Sequence, residues 1–301
     1  MNISASAPAK TILFGEHAVV YGEPAIAIPL SGIRTYAEIH PNGKEFRIIS
    51  ESAHLNRTYG QLIKGSGLEV LLSRLKEIMG VQELPSDTLK ITGNIPIASG
   101  LGSGAALSVA VIRAFAKQYG LSLSTEDINQ LAYEIEKIYH GTPSGIDNTT
   151  IAYEQPILFS KNTGFEPIDA DFTKLNLLVI DSGIRSKTID VVTDVRNNIT
   201  SNKKYIREIG SLVRSAVKAL ESGNKIEIGE LMSQNQRLLQ NINVSCPELD
   251  EIIQIGLSNG AIGGKLTGAG RGGNVLILAK SKADAEKLSS LYFDKGYKVI
   301  L

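Results

Sequence analysis

Clusters of glycine constrain this chain more than any other feature of its sequence. The 301 residues include 29 glycines, and nine of these are concentrated in three short segments. Glycine has no Cβ, so it lets a backbone turn tightly and approach another group closely. Where such a loop runs into a helix, the unpaired N–H groups of the first turn attract anions. The glycine pattern therefore favours a protein that holds a phosphate-like group.

The first cluster is PIASGLGSGAA, residues 96–106, directly before a predicted helix at 105–119. That helix is apolar nearly all round, which predicts that it is buried. The cluster matches neither the Rossmann fingerprint nor Walker A, because no GK[ST] follows and no acidic residue is placed to bind a ribose. An ordinary glycine-rich turn stays open as the alternative.

The second cluster, KLTGAGRGG at 265–273, lies between two predicted strands, and its alternative is a plain hairpin connection. The third segment, HGTPSGIDN at 140–148, follows a helix predicted over 125–140 with Ser124 as N-cap. We interpret this segment as a loop, which brings Asp147 and Glu136 to the same end of that helix. One carboxylate in such a place can accept a proton while the other holds a cation. A capping and turn segment is the alternative.

A fourth segment stands near the amino terminus, where Lys10 precedes a β-prone stretch and GEHAVVYG follows at 15–22. Taken alone, this segment has a simple alternative interpretation, with Lys10 as a surface charge and Glu16 and His17 as a solvated pair at a strand end. The presence of the other three segments favours a functional role for it instead.

Composition excludes several classes of protein. The 31 basic and 31 acidic residues give a formal net charge of zero, which argues against nucleic acid as the main partner. Cys246 is the single cysteine, so no intrachain disulfide can form, and a reducing cytoplasm is expected. The sequence contains no run of 18 apolar residues and no secretory signal, so no membrane association is expected.

Strands and helices alternate irregularly in both halves, which predicts an α+β protein. A chain of this length holds one large domain or two. We predict two, spanning residues 1–165 and 166–301, with the boundary near the Lys-Asn-Thr-Gly stretch at 161–164.

Together the four segments, in this order along most of the chain, resemble the GHMP kinase superfamily. That resemblance implies a two-domain fold, with an amino-terminal domain like domain 2 of ribosomal protein S5 and a ferredoxin-like carboxy-terminal domain. Within the superfamily, GEHAVVYG and HGTPSGIDN most resemble the mevalonate kinase branch. The implied reaction is transfer of a phosphoryl group from ATP to the C5 hydroxyl of mevalonate, in isoprenoid biosynthesis. A homodimer is plausible by family analogy.

The resemblance also implies roles for individual residues. Asp147 is the acid–base residue, and Lys10 stabilises the forming alkoxide and the transferred phosphoryl group. Glu136 binds Mg²⁺, with Ser103 as a further metal ligand. Substrate-binding positions are Glu16, His17 and Thr188. Nucleotide-binding positions are Pro96, Ser99, Gly100, Leu101, Gly102, Ser103, Gly104, Ala105, Gly268, Ala269 and Gly270.

Two positions depart from the family pattern. Gly104 stands where the family has a serine whose hydroxyl reaches Mg²⁺, so Ser103 or a water is left to supply that ligand. Arg271 replaces a glycine of the third family loop, and it can lie over a phosphate, pair with a substrate carboxylate or point to solvent. The alternatives to the mevalonate reaction are a phosphomevalonate, homoserine or sugar kinase, a mevalonate decarboxylase, and a non-catalytic metabolite sensor.

Overall fold

A computed structural model describes residues 3–41, 43–96, 99–141 and 143–301. By the density of contacts between residues, the chain separates into two compact units. The amino-terminal unit comprises the described residues of 3–10, 29–96 and 101–155, and the carboxy-terminal unit those of 11–28, 99–100 and 156–301. The unit boundary nearest to the predicted domain border follows Gln155. The border at residue 165 stays a prediction.

The amino-terminal unit places helices on a mixed sheet. Its strands include β3 (Arg47–Ser50), β4 (Leu55–Thr58) and β5 (Asp87–Gly93), together with parts of β1 (Ile3–Phe14) and β2 (Ala25–Pro41). Its helices include α1 (Gly67–Met79), α2 (Ser103–Tyr119), α3 (Thr125–His140) and α4 (Ile146–Tyr153). β3 runs antiparallel to β4 and parallel to β5, and β5 runs antiparallel to the end of β2.

Apolar periodicity explains how these helices pack. Helix α2 is buried on most sides, as its sequence predicts, and it contacts α1, α3 and α4. Helix α3 begins at a capping box, in which Ser124 and Asp127 each accept from the other's backbone N–H, as predicted. Glu134 and Lys137 on α3 are exposed, also as predicted. The core of this unit therefore lies between its helices and its sheet.

The carboxy-terminal unit has a separate antiparallel sheet. The strands of this unit include β6 (Ile157–Ser160), β7 (Gly164–Pro167), β8 (Asn176–Asp181), β9 (Gly263–Thr267), β10 (Asn274–Ala279) and β11 (Lys298–Val299). Strands β8 to β11 form the separate sheet, whereas β6 and β7 belong to the sheet that contains β2. The helices of this unit include α5 (Thr188–Asn197), α6 (Ile199–Glu221), α7 (Lys225–Asn241), α8 (Pro247–Ser258) and α9 (Lys282–Asp294). The strand order of the separate sheet is β11-β8-β10-β9, and α8 and α9 pack on that sheet.

Helices α6 and α7 pair with each other, and α7 also contacts β9. The start of β2 pairs with β6 in this unit, and β6 pairs with β7. Within the described ranges, no helix combines the length and apolarity needed to cross a membrane.

Candidate active site

Lys10 and Asp147 meet in the amino-terminal unit. The Lys10 ammonium lies 2.9 Å from Oδ1 of Asp147, and their side chains are 4 % and 30 % exposed. Lys10 projects from β1, whereas Asp147 stands in the first turn of α4. The interpretation of residues 140–148 as a loop is therefore wrong at its end, because α4 begins at Ile146. The proximity predicted for the ammonium and the carboxylate is present.

A buried polar cluster holds α4 against α3. Nδ2 of Asn148 donates to Oδ1 of Asn129 at 2.6 Å, and the Thr149 hydroxyl donates to the same Oδ1 at 3.4 Å. Asn129, Asn148 and Thr149 are all less than a tenth exposed. Since Asn129 lies seven residues before Glu136 on α3, this contact fixes the helix that carries one acid relative to the helix that carries the other. Sequence reasoning missed Asn129, although a polar residue within an apolar helix face was the available signal.

Glu136 completes this group of charges, which we call the Lys10 cluster (Lys10, Asp147 and Glu136). Its side chain lies on α3 and is 3 % exposed. Burial raises the pKa of Glu136 to about 7; the Asp147 carboxylate adds to the rise, and Lys10 opposes it. The cluster thus combines two acids with one ammonium in a mostly buried place, an arrangement that a cation stabilises.

The first turn of α2 lies beside the Lys10 cluster. Gly102 is the N-cap with φ of 75°, and a Cβ at this position would lie 3.0 Å from Cγ of Lys10. A Cβ at Gly104 would lie 3.1 Å from Oε1 of Glu136. The backbone N–H of Lys10 donates to the Leu101 carbonyl at 3.0 Å. Glycine at these positions therefore lets the positive end of a helix approach the cluster, where an anion is favoured.

The remaining predicted phosphate-loop residues divide between the units. Pro96, Ser103 and Ala105 belong to the amino-terminal unit, with Ser103 as the first residue of α2. Ser99 and Gly100 belong to the carboxy-terminal unit, where the Ser99 carbonyl accepts from Nδ2 of Asn274 at 2.6 Å. Positions 97, 98 and 142 of the glycine-rich and HGTPSGIDN segments lie outside the described residues.

The Lys10 cluster fits a divalent cation by the chemistry of its donors. Mg²⁺ prefers oxygen ligands and keeps part of its coordination for phosphate and water. Glu136 and Asp147 offer carboxylate oxygens. Burial, and after it the Asp147 charge, raise the pKa of Glu136, and a cation beside both carboxylates would favour their ionised forms. In the part of the chain that the structure describes, no group of three or more His, Cys, Asp or Glu side chains could hold a metal. The protein thus offers few ligands to a metal at this place, which is typical of Mg²⁺ sites where substrate phosphates supply other ligands.

In the carboxy-terminal unit, His17 contacts the second glycine-rich loop. Its Nε2 lies 2.8 Å from the Ala269 carbonyl oxygen. A carbonyl only accepts, so Nε2 carries the proton. Burial lowers the pKa of His17 to about 4; the hydrogen bond to Ala269 opposes this, and the positive charge of Arg271 adds to it. His17 is therefore a neutral donor at physiological pH, held at a φ of 61° that non-glycine residues rarely adopt.

Glu16 forms a buried ion pair with Lys265 of β9. The side chains of Glu16 and Lys265 are 1 % and 0 % exposed. Burial lowers the pKa of the Lys265 ammonium, and Glu16 opposes that shift. Sequence reasoning gave Lys265 no role, although a lysine among the buried residues of β9 was a signal. The substrate contact predicted for Glu16 stays a prediction.

The loop at 268–273 is fastened on several sides. The Arg271 guanidinium pairs with Asp194 of α5 at 2.5 Å and donates from Nε to the Asn243 carbonyl at 3.0 Å. The Ser186 hydroxyl donates to the Gly270 carbonyl at 2.6 Å. Arg271 therefore has a protein partner that none of its three sequence alternatives included. Thr188 is exposed at the start of α5, on the strand-to-helix connection where it was expected.

Comparisons with known proteins identify the family of this chain. The family model described as "GHMP kinases N terminal domain" matches residues 62–155, and "GHMP kinases C terminal" matches residues 216–294. A mevalonate kinase of Thermococcus gammatolerans is 36 % identical over 306 residues, which cover 94 % of this chain and 90 % of the relative. The chain belongs to the GHMP kinase family.

Solved structures lead to the same family. The mevalonate kinase of L. major in complex with R-mevalonate matches with a TM-score of 0.83 and 33 % identity, covering 97 % of this chain and 91 % of that one. The Methanococcus jannaschii mevalonate kinase matches with a TM-score of 0.89 and 28 % identity, covering 99 % and 97 %. The predicted family, the two-domain α+β kinase fold and the assignment as a kinase are confirmed.

Proposed function

We propose that this GHMP kinase transfers the γ-phosphoryl group of ATP to the C5 hydroxyl of mevalonate, giving 5-phosphomevalonate and ADP. The observation that carries the proposal is the 2.9 Å contact between Lys10 and Asp147 beside the buried Glu136. The mevalonate kinase relatives, which align over more than nine-tenths of the chain, support mevalonate as the acceptor.

In this proposal Asp147 and Lys10 act on the acceptor hydroxyl. Asp147 accepts the hydroxyl proton as the oxygen attacks phosphorus, and the Lys10 ammonium stabilises the negative charge that forms on oxygen. Phosphoryl transfer depends mainly on positioning and on neutralising charge. An acid–base group must also lie within hydrogen-bond reach of the proton that it moves, and the neighbouring ammonium orients the Asp147 carboxylate for this role.

Glu136 and Ser103 would hold Mg²⁺. When bound, the ion neutralises charge on the phosphates of ATP. The amino-terminal end of α2 and the two residues before it would support the same phosphates with backbone N–H groups, for which we propose Leu101, Gly102, Gly104 and Ala105. Further proposed nucleotide contacts are Pro96, Ser99, Gly100, Gly268, Ala269 and Gly270.

We propose substrate contacts for His17 and Thr188. His17 donates its Nε2 proton to the protein, so Nδ1 is left as the acceptor of the neutral ring. A homodimer, a cytoplasmic location and the lack of a nucleic-acid partner stay predictions from the sequence.

A substrate panel tests the proposed function. The purified protein is assayed with ATP and Mg²⁺ against mevalonate, phosphomevalonate, homoserine and galactose, with ADP and carbon dioxide release both measured. We expect the highest kcat/KM on mevalonate, no carbon dioxide, and loss of turnover when EDTA removes the metal. Higher kcat/KM on another acceptor, or carbon dioxide release, would contradict the proposal.

A further inference from the structure

Within the carboxy-terminal unit, a line of polar contacts joins the segment after Lys10 to β9 and the loop that follows it. We call it the polar seam, and its members are Thr11, Glu16, His17, Lys265, Thr267 and the carbonyl of Ala269. The members from the second segment stand at positions 265, 267 and 269. Since side chains on one face of a strand recur every second residue, Lys265 and Thr267 of β9 face the same way.

Thr11 and Thr267 form one end of the seam. Their hydroxyls lie 2.9 Å apart, and the Thr267 hydroxyl also lies 3.0 Å from the Ile12 carbonyl. Both threonines are less than a tenth exposed. This end therefore binds the two segments together by contacts that do not depend on charge.

The ion pair of Glu16 and Lys265 is a second contact between the same two segments. The Lys265 ammonium contacts the Glu16 carboxylate and also donates to the Leu266 carbonyl at 2.6 Å. Removing two charges from water is costly, so a buried ion pair is weak evidence for stability by itself. With 1 % of its surface exposed, Glu16 offers almost nothing for a substrate to touch. The role that remains for the pair of Glu16 and Lys265 is to fix the positions of neighbouring residues.

The neighbours in question are His17 and the glycine-rich loop. His17 directly follows Glu16 and has a φ of 61°, a conformation that persists only when surrounding contacts enforce it. Its Nε2–H donates to Ala269, which follows Lys265 by four residues. Glu16 is thus adjacent to one partner of this hydrogen bond along the chain, and Lys265 lies four residues before the other.

We propose that Glu16 and Lys265 are positioning residues, whose buried ion pair holds His17 and the loop at 268–273 in their mutual arrangement. Glu16 then acts through Lys265 and does not contact the substrate. The structural part of this inference is independent of the reaction, whereas its kinetic readout rests on the proposed function.

The test uses Glu16→Gln, Lys265→Met and the double variant of the full chain. Each single change leaves one buried charge without its partner, so we expect both to lower the denaturant midpoint more than the double variant does. The double variant carries no lone buried charge, and the test depends on it if the single variants fail to fold. Tyr292→Phe is the control, because it removes a buried hydrogen bond of 2.7 Å to the Ile252 carbonyl elsewhere in the same unit.

Histidine NMR without any substrate gives the decisive readout. The chain has four histidines, and the spectrum of His17→Gln assigns the His17 signals. We expect the wild type to show the Nε2–H tautomer of His17, and the double variant to show a mixture of tautomers and a pKa at least about one unit higher. The Tyr292→Phe spectrum should match that of the wild type. An unchanged His17 signal in the double variant would overturn the proposal.

Kinetics then separate positioning from substrate contact. If Glu16 acts through Lys265, both single variants raise the KM for mevalonate or lower kcat by similar factors, about tenfold or more, and the double variant is no worse than either. If Glu16 instead contacts the substrate, Lys265→Met should impair the kinetics less than Glu16→Gln does, and the losses of the two single variants should multiply in the double variant. That result would contradict the proposal. A wild type that does not phosphorylate mevalonate refutes the proposed function alone, since the NMR result still decides the positioning role.

Discussion

Two groups of buried charges, one in each unit, differ in how far they are closed to solvent. In the Lys10 cluster, two acids share one ammonium, and the Asp147 side chain stays 30 % exposed. In the polar seam, Glu16 and Lys265 are essentially inaccessible. A partly exposed group with unbalanced charge can be neutralised by a ligand. A buried pair of opposite charges is already neutral and can act only on the residues around it. Exposure and charge balance are therefore the properties on which we assign a reacting role to one group and a positioning role to the other.

Asp147→Asn tests the reacting group most severely. The amide keeps the shape of the side chain but cannot accept the hydroxyl proton, so we expect kcat to fall at least about 10²-fold. ATP binding, measured by calorimetry, should change little. Asp127→Asn makes the same substitution in the first turn of α3, where the side chain is exposed, and should leave kcat within about twofold. Near-normal turnover of Asp147→Asn would mean that another group moves the proton.

Glu136→Gln tests whether the excess of acid serves a metal. Loss of one carboxylate should raise the Mg²⁺ concentration for half-maximal activity by about 50-fold, because a ligand charge is removed. Titrating the steady-state rate with Mg²⁺ measures the effect. Glu134→Gln, on the exposed side of the same helix, is the matched control and should leave the Mg²⁺ requirement unchanged. Equal requirements in both variants would remove Glu136 from the metal site.

The depressed pKa of His17 predicts how stability depends on pH. The unfolded chain takes up a proton near pH 6.5, whereas folded His17 does so only at about 4. The stability that His17 contributes is therefore complete above the unfolded value and is lost as pH falls through that window. Between about pH 7.5 and pH 5, we expect a loss of about 2 kcal/mol in the free energy of unfolding.

Denaturant unfolding of the wild type and of His17→Gln at the two pH values measures the contribution of His17 to this change in the free energy of unfolding. The His17→Gln variant should lose that part of the pH dependence, and His54→Gln, at an exposed position, should retain it. Parallel pH profiles for the wild type and His17→Gln would show that His17 titrates normally.

Gly104 gives the smallest expected effect and sharpens the description of the Lys10 cluster. A Cβ there would lie 3.1 Å from Oε1 of Glu136, so that carboxylate must shift by a few tenths of an ångström. We expect Gly104→Ala to lower kcat about threefold to tenfold through crowding. Gly104→Ser adds the same Cβ with a hydroxyl that can reach the metal, and it should be less impaired. A serine variant no better than the alanine variant would argue against a ligand role at this position.

Local signals in the sequence predicted most of the secondary structure. The bounds of α3 agree with the prediction because its capping box and apolar stripe are encoded within sixteen residues. The strands on either side of the second glycine-rich loop were also predicted from local sequence. The proximity of Lys10 and Asp147 came from the resemblance to the family, since nothing local links positions 137 residues apart.

What the sequence did not reveal depends on distant contacts. Helix α4 reads as a turn because Asp, Asn and Thr favour turns and caps, and its buried amide contact to Asn129 comes from another helix. The partners of Lys265 and Arg271 were likewise hidden, because ion pairs between positions 249 and 77 residues apart leave no periodic pattern in the sequence. The sequence thus offered candidates for the reacting residues, but not for the residues that hold those candidates in place.

The loop at 268–273 shows what its glycines are for. Segments rich in glycine are often regarded as hinges, yet this one is tied to His17, Ser186 and Asp194 before any nucleotide arrives. Its glycines supply shape, and the surrounding bonds remove the freedom that glycine would otherwise give. A nucleotide that binds this loop, as we propose, would lose little of its binding free energy to ordering the loop, so preorganisation would favour its affinity.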